Sequence, residues 1–117
     1  MKTVLLTGAA GNVCSLLRPH LAGRYEHVVL TDIKPVEGLA GNESYQQADV
    51  TELPAMRELA GQVEGIVHLA GMVGPHYTFD DVLGPNIVGT YNLFQAAREA
   101  GVRQVVYASS HHAVGFL

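Results

Sequence analysis

The segment Thr3–Cys14, TVLLTGAAGNVC, constrains the fold of this chain more than any other. Val4, Leu5 and Leu6 put apolar side chains on both faces of an extended backbone, which suits a strand buried from both sides in a parallel sheet. Gly8 and Gly11 then bound a tight turn. Val13, Leu16, Leu17 and Leu21 follow at helical spacing, up to an expected stop at Gly23. In a strand–glycine turn–helix unit the backbone N–H groups approach an anion closely, and the helix N-terminus adds partial positive charge. The expected anion is a pyrophosphate. A second apolar run, HVVLT at 27–31, ends at Asp32, which lies 24 positions after Gly8. That is near the roughly 20 expected for a carboxylate that holds a ribose. Its oxygens accept from both ribose hydroxyls and repel a 2′-phosphate, so NAD is favoured over NADP. Lys34 works against that preference and leaves the choice open.

The rest of the chain alternates strand and helix with short links, the order expected of a parallel sheet wrapped by helices. Further strands are expected at Tyr45–Ala48, Gly65–Ala70 and Val102–Ala108, with a short helix around 52–60 and a long one ending at Ala100-Gly101. The fold class predicted is α/β, a doubly wound parallel sheet with strand order 3-2-1-4-5 that breaks off after the fifth strand. Residues 1–117 form one cofactor-binding domain, and a ligand lies across the C-terminal strand ends where the order reverses. Between Val82 and Ala97 the long helix carries no charged residue. Ile87, Tyr91 and Phe94 make one apolar stripe, and Thr90, Leu93 and Ala97 make another. A helix lying on a sheet needs only one such face. A homo-oligomer formed through residues 80–100 explains the second, as does burial within the chain itself.

Composition excludes several classes of function. The net charge of −4 contains no basic block, which gives nucleic acid no footing. The apolar run Val4–Leu6 is too short for a secretion signal or a membrane span, and the single cysteine allows no internal disulfide. A soluble, cytoplasmic protein is expected. The six histidines suggest no metal centre. His111 and His112 are adjacent, so on a strand they point to opposite faces, and the other four are isolated.

Taken together, these residues resemble the short-chain dehydrogenase/reductases. The glycine spacing at Gly8 and Gly11 is similar to theirs. So are Asp49-Val50 after the third strand and His68-Leu69-Ala70-Gly71 on the fourth. The run Asn86-Ile-Val-Gly89-Thr-Tyr-Asn92 resembles the extended epimerase/dehydratase branch, and Val105-Val-Tyr-Ala-Ser109-Ser110 the segment carrying the catalytic serine. ASSHHAVGF at 108–116 looks most like the uronate dehydrogenases, which oxidise C1 of a hexuronate to a lactone with NAD. The resemblance implies that Gly8, Ala10, Gly11, Asn12 and Val13 cradle the pyrophosphate. Asp32 and Ile33 would hold the adenosine ribose, and Asp49 and Val50 the adenine. Leu69, Ala70 and Gly71 would line the nicotinamide ribose, with Asn86 holding structure and water nearby. Ser110 would hydrogen-bond the reacting hydroxyl, with Ser109, His111 and His112 beside a sugar-acid substrate.

Three departures bear on that implication. Cys14 stands at the third glycine, His111 at an asparagine and Phe116 at a tyrosine. The family's Tyr-x-x-x-Lys pair supplies the general base and lies beyond the serine. None of the five tyrosines here has a lysine four residues later. The expectation is therefore a cofactor-binding part of an NAD-dependent dehydrogenase, inactive by itself. The alternatives are part of a nucleotide-sugar epimerase or dehydratase, and a non-catalytic NAD-binding module or truncated product.

Overall fold

The computed structural model describes residues 2–71 and 77–108. Strands β1 (Thr3–Thr7), β2 (His27–Thr31), β3 (Glu43–Tyr45), β4 (Gly65–His68) and β5 (Gln104–Tyr107) build one parallel sheet. Its order is β3-β2-β1-β4-β5, as the alternating pattern predicts. Register explains why both faces of β1 are apolar. Leu5 lies level with Val29 and Ile66, and all three face α2 (Leu53–Ala60) and α4 (Gly89–Ala100), where Met56, Leu59 and Leu93 complete one core. Val4 and Leu6 point the other way with Val28 and Leu30, toward α1 (Asn12–Arg24).

Helix α1 forms where the periodicity places it, but it turns only part of the expected face to the sheet: Leu21 packs against the core and Leu17 is partly buried. Val13 and Leu16 are 61% and 75% exposed, and the residue the helix buries is Cys14. The tight turn fixes this rotation by setting the Cys14 thiol over the Thr7 carbonyl, 3.6 Å away. Nor does the helix stop at Gly23. It continues to Arg24, and the Tyr25 N–H closes it on the Leu21 carbonyl.

Three strand boundaries shift, and a side-chain contact accounts for two of the shifts. β3 starts at Glu43 rather than Tyr45 because the Glu43 carboxylate is buried against Arg18, with N to O at 2.9 Å. Beyond its end, the Gln46 N–H still bonds the Leu30 carbonyl. β4 ends at His68 rather than Ala70 because the Thr7 hydroxyl captures the Leu69 and Ala70 amides at 3.0 and 3.1 Å. β5 is trimmed to Gln104–Tyr107, although Arg103 and Ala108 still donate to the Glu64 and His68 carbonyls.

The long helix is built in pieces. A capping box between Thr78 and Asp81 opens α3 (Phe79–Val82). A π-helical turn, Leu83–Val88, then leads into α4. Pro85 sits in that turn and has no N–H to give the regular helical ladder. Gly101, at φ +71°, ends α4 in the left-handed conformation open to glycine. Leu93, Ala96 and Ala97 are buried on α4, whereas Ile87, Tyr91 and Phe94 stay largely exposed, Tyr91 by 65%. Among the described residues, the Ile87, Tyr91 and Phe94 stripe is thus only partly covered, with Phe94 edge-on to Tyr107. No helix of the described residues is long and apolar enough to cross a membrane.

Candidate functional site

The C-terminal ends of β1, β2 and β4 open into a cleft of about 500 Å³. It lies at the point where strand order reverses, the usual ligand crevice of an open parallel sheet. Its floor is the turn after β1. Gly8 adopts φ +72°, and a Cβ there would lie 2.8 Å from the Ala70 nitrogen and the Leu69 carbonyl carbon. Both neighbours are backbone, so only glycine fits. The Gly11 N–H returns to the Gly8 carbonyl at 2.9 Å and closes the turn. Helix α1 begins with no side-chain cap on its first amides and no acidic residue in its first turn. Uncapped amides and an unopposed helix dipole suit an anion such as a pyrophosphate.

Asp32 stands at one wall. Its Oδ2 accepts from the Ala10 N–H at 2.9 Å and its Oδ1 from the Lys34 N–H at 3.0 Å. The carboxylate ties the glycine turn to the segment after β2, and each oxygen keeps acceptor capacity for a hydroxyl. The Tyr45 hydroxyl donates to the Lys34 carbonyl and lies 3.0 Å from the Asp32 carbonyl. Ile33 and Lys34 line the cleft next to it.

Asp49 and Val50 form a further wall of the cleft. Asp49 Oδ1 accepts from the Thr51 N–H at 2.9 Å and the Thr51 hydroxyl at 2.7 Å, a small turn that holds the loop rigid. Val50 is buried beneath α4. A Cβ on Gly89 would lie 2.4 Å from Val50 Cγ2, and Asn92 Nδ2 donates to the Val50 carbonyl at 3.1 Å. The glycine and asparagine of the long helix thus press this wall into place.

Leu69, Ala70 and Gly71 form the opposite wall. Gly71 adopts φ +152°, and a Cβ there would meet Asn86 Oδ1 at 3.0 Å. His68, just below, is fully buried, and burial pushes its imidazole down to about 4. Burial, helped by the Asp32 charge, raises the Cys14 thiol to about 11, so it stays protonated and acts as packing.

The structure therefore brings ten of the expected residues to one cleft: Gly8, Ala10, Gly11, Asp32, Ile33, Asp49, Val50, Leu69, Ala70 and Gly71. Asn12 and Val13 start α1 beside it without lining it, and Asn86 supports Gly71 from behind. Ser109, Ser110, His111 and His112 lie outside the described residues. Thr31, Ala48, Thr51, Tyr77 and Pro85 also line the cleft, and no motif pointed to them. Pro85, in the uncharged stretch before Asn86, had the one usable signal, since a proline inside a helical pattern marks a local break.

Comparison with known proteins settles the family. The model of the NAD dependent epimerase/dehydratase family matches residues 4–116. The chain belongs to that family. Among its relatives, the uronate dehydrogenase of Pseudomonas putida is 40% identical over 114 residues, covering 97% of this chain and 42% of that protein. The NAD-dependent glucose-6-phosphate dehydrogenase of Haloferax volcanii is 39% identical, over 96% of this chain and 44% of its own length. A mutant uronate dehydrogenase of Agrobacterium tumefaciens, crystallised with NAD, superposes with a TM-score of 0.92 at 38% identity. It covers 100% of this chain and 44% of that one. This epimerase/dehydratase-family chain thus spans less than half the length of the relatives it matches.

Proposed function

We propose that this chain is the cofactor-holding part of an NAD-dependent dehydrogenase that oxidises a hexuronate or a closely related sugar at C1. The observation that carries this reading is the Asp32 carboxylate, anchored by the Ala10 and Lys34 amides while it lines the cleft beside the glycine turn. A carboxylate so placed accepts from ribose hydroxyls and opposes a 2′-phosphate, so NAD is the preferred dinucleotide. NAD, when bound, supplies the hydride acceptor. The turn Gly8–Gly11 and the first amides of α1, at Asn12 and Val13, hold the pyrophosphate. Asp32 and Ile33 hold the adenosine ribose, and Asp49 and Val50 the adenine. Leu69, Ala70, Gly71 and Asn86 serve the nicotinamide ribose.

On the substrate side, the likeness of residues 108–116 to the uronate dehydrogenases supports Ser110 as the partner of the reacting hydroxyl. Ser109, His111 and His112 then sit beside the sugar acid. This chain contains no Tyr-x-x-x-Lys pair, so it binds the cofactor without the family's proton transfer. The exposed Ile87, Tyr91 and Phe94 stripe supports self-association through α4.

Calorimetric titration of the 117-residue chain with NAD, beside a D-glucuronate oxidation assay, tests the reading. Binding without turnover is expected. A folded chain that shows no heat at millimolar NAD refutes the cofactor site, and turnover refutes the account of the missing base. Asp32→Ala removes charge-assisted hydrogen bonds worth about 1.5–3 kcal/mol, so NAD should weaken roughly 10- to 100-fold. NADP should change far less, and equal losses would remove Asp32 from the ribose.

A further inference from the structure

His68 is the most deeply buried ionisable group next to the cleft, and the cofactor contacts proposed above make no use of its ring. Its state follows from counting hydrogen bonds. The Thr7 hydroxyl accepts from two backbone amides, Leu69 N–H at 3.0 Å and Ala70 N–H at 3.1 Å. A hydroxyl has two acceptor sites and one proton, so its acceptor capacity is spent. The same oxygen lies 2.6 Å from His68 Nδ1. The Thr7 proton must therefore point at Nδ1, and Nδ1 carries no hydrogen. The ring proton is left on Nε2, which faces the Thr90 hydroxyl at 3.4 Å. That hydroxyl in turn donates to the Asn86 carbonyl at 2.7 Å. The remaining flat contact is the Tyr107 ring, stacked at 5.7 Å between centroids. One directed chain of hydrogen bonds thus joins the Leu69-Ala70 amides, through a neutral imidazole, to the backbone of Asn86.

We propose that His68, fixed in its Nε2-protonated form between Thr7 and Thr90, is a positioning residue for the nicotinamide half of the cofactor. It sets the backbone Leu69-Ala70-Gly71 against Asn86 without touching the ligand. A proton on Nδ1 would meet the Thr7 hydroxyl proton head-on, and Thr7 would have to release an amide to turn away. The order of that wall depends on the ring staying neutral. The inference rests on the cleft being an NAD site.

Nitrogen-15 NMR of the histidine rings should show His68 with a bare Nδ1 and a protonated Nε2 at neutral pH. A charged ring or the opposite tautomer overturns the proposal. Thr7→Val then removes the hydroxyl at nearly constant volume, and Thr7→Ser restores it. NAD should bind roughly ten-fold more weakly to Thr7→Val, while ADP, which ends before the nicotinamide ribose, should change by less than about two-fold. Thr7→Ser should recover NAD binding. Equal losses of NAD and ADP, or no loss of either, overturn the positioning role alone. A wild-type chain that binds ADP but not NAD overturns the cofactor reading and this proposal with it. Should Thr7→Val fail to fold, Thr90→Val, which takes away the partner of Nε2, is judged by the same two affinities.

Discussion

Replacing Gly89 with alanine sets two opposed effects against each other, and the structure says which wins. Inside a helix, glycine is less favourable than alanine by about 0.8–1 kcal/mol, so the exchange should stabilise wherever there is room. Gly23 in α1 offers that room, since a Cβ there meets nothing within 4 Å. At Gly89 the added carbon would sit 2.4 Å from Val50 Cγ2 and 3.0 Å from Val50 Cβ. Valine is stiff at χ1, and the Val50 carbonyl is held by Asn92, so the neighbour yields poorly. Overpacking of this kind costs about 1–3 kcal/mol and outweighs the helix preference. Gly23→Ala should gain close to 1 kcal/mol and Gly89→Ala should lose about as much, a gap of roughly 2 kcal/mol. For a chain of this size that separates the two midpoints by about 8 °C in thermal unfolding followed by circular dichroism. Val50→Ala should remove most of the Gly89→Ala penalty, a coupling measurable by a double-mutant cycle. A Gly89→Ala midpoint raised as much as that of Gly23→Ala would refute the steric clash with Val50 and the packing of α4 against the cleft wall at Asp49-Val50.

Two further outcomes follow from charge and surface. His68 titrates near 6.5 when unfolded and about 4 when folded, so between those values the unfolded chain binds more protons and stability falls as pH falls. The full window of roughly 2.5 units is worth about 3 kcal/mol. At lower pH the Glu43 carboxylate adds to the loss, because its hydrogen bonds from Arg18 hold it below the usual range. Urea unfolding from pH 7 to 4 should show the slope, and His68→Gln should flatten it; a wild-type profile just as flat would refute the burial argument. Tyr91→Lys places a charge in the exposed stripe of α4, so sedimentation equilibrium should show concentration-dependent mass for the wild type and a monomer for the variant. A wild type that stays monomeric at 100 µM, on the order of concentrations where such contacts form, would remove the stripe as an interface.

What the sequence made legible was whatever depends on neighbours in the chain. Four of the five strands carry apolar runs, whereas Glu43–Tyr45 does not, and the strand–turn–helix at Gly8 to Cys14 reads directly because the turn leaves no choice but glycine at Gly8. Asp32 was legible because it ends a strand next to that turn. The errors arise where a partner is far away in sequence. The start of β3 depends on Glu43 meeting Arg18, 25 residues earlier. The end of β4 depends on the Thr7 hydroxyl, 62 residues before Leu69. On α1 the periodicity finds Leu21, which packs on the core, but not that Val13 and Leu16 stay exposed while the turn geometry hands the core contact to Cys14. Thr31, Ala48, Thr51 and Tyr77 carry no signal of their own, and strand order alone brings them to the cleft.

The segment after β2 is moored at both ends through its backbone. Asp32 holds its beginning through the Lys34 amide, and Arg18 holds its far end through the Glu37 and Gly38 carbonyls and the Glu43 carboxylate. Ile33 and Lys34 lie at the first of these moorings, their carbonyls held by the Gln47 side-chain amide and the Tyr45 hydroxyl, while their side chains stay in solvent at the edge of the cleft. Exposed positions of this sort exchange at about ±0.5 kcal/mol. Under the proposed assignment, exchanges at residues 33 and 34 alter the chemistry of the cleft edge while the sheet stays as it is, so cleft chemistry and scaffold stability can change separately.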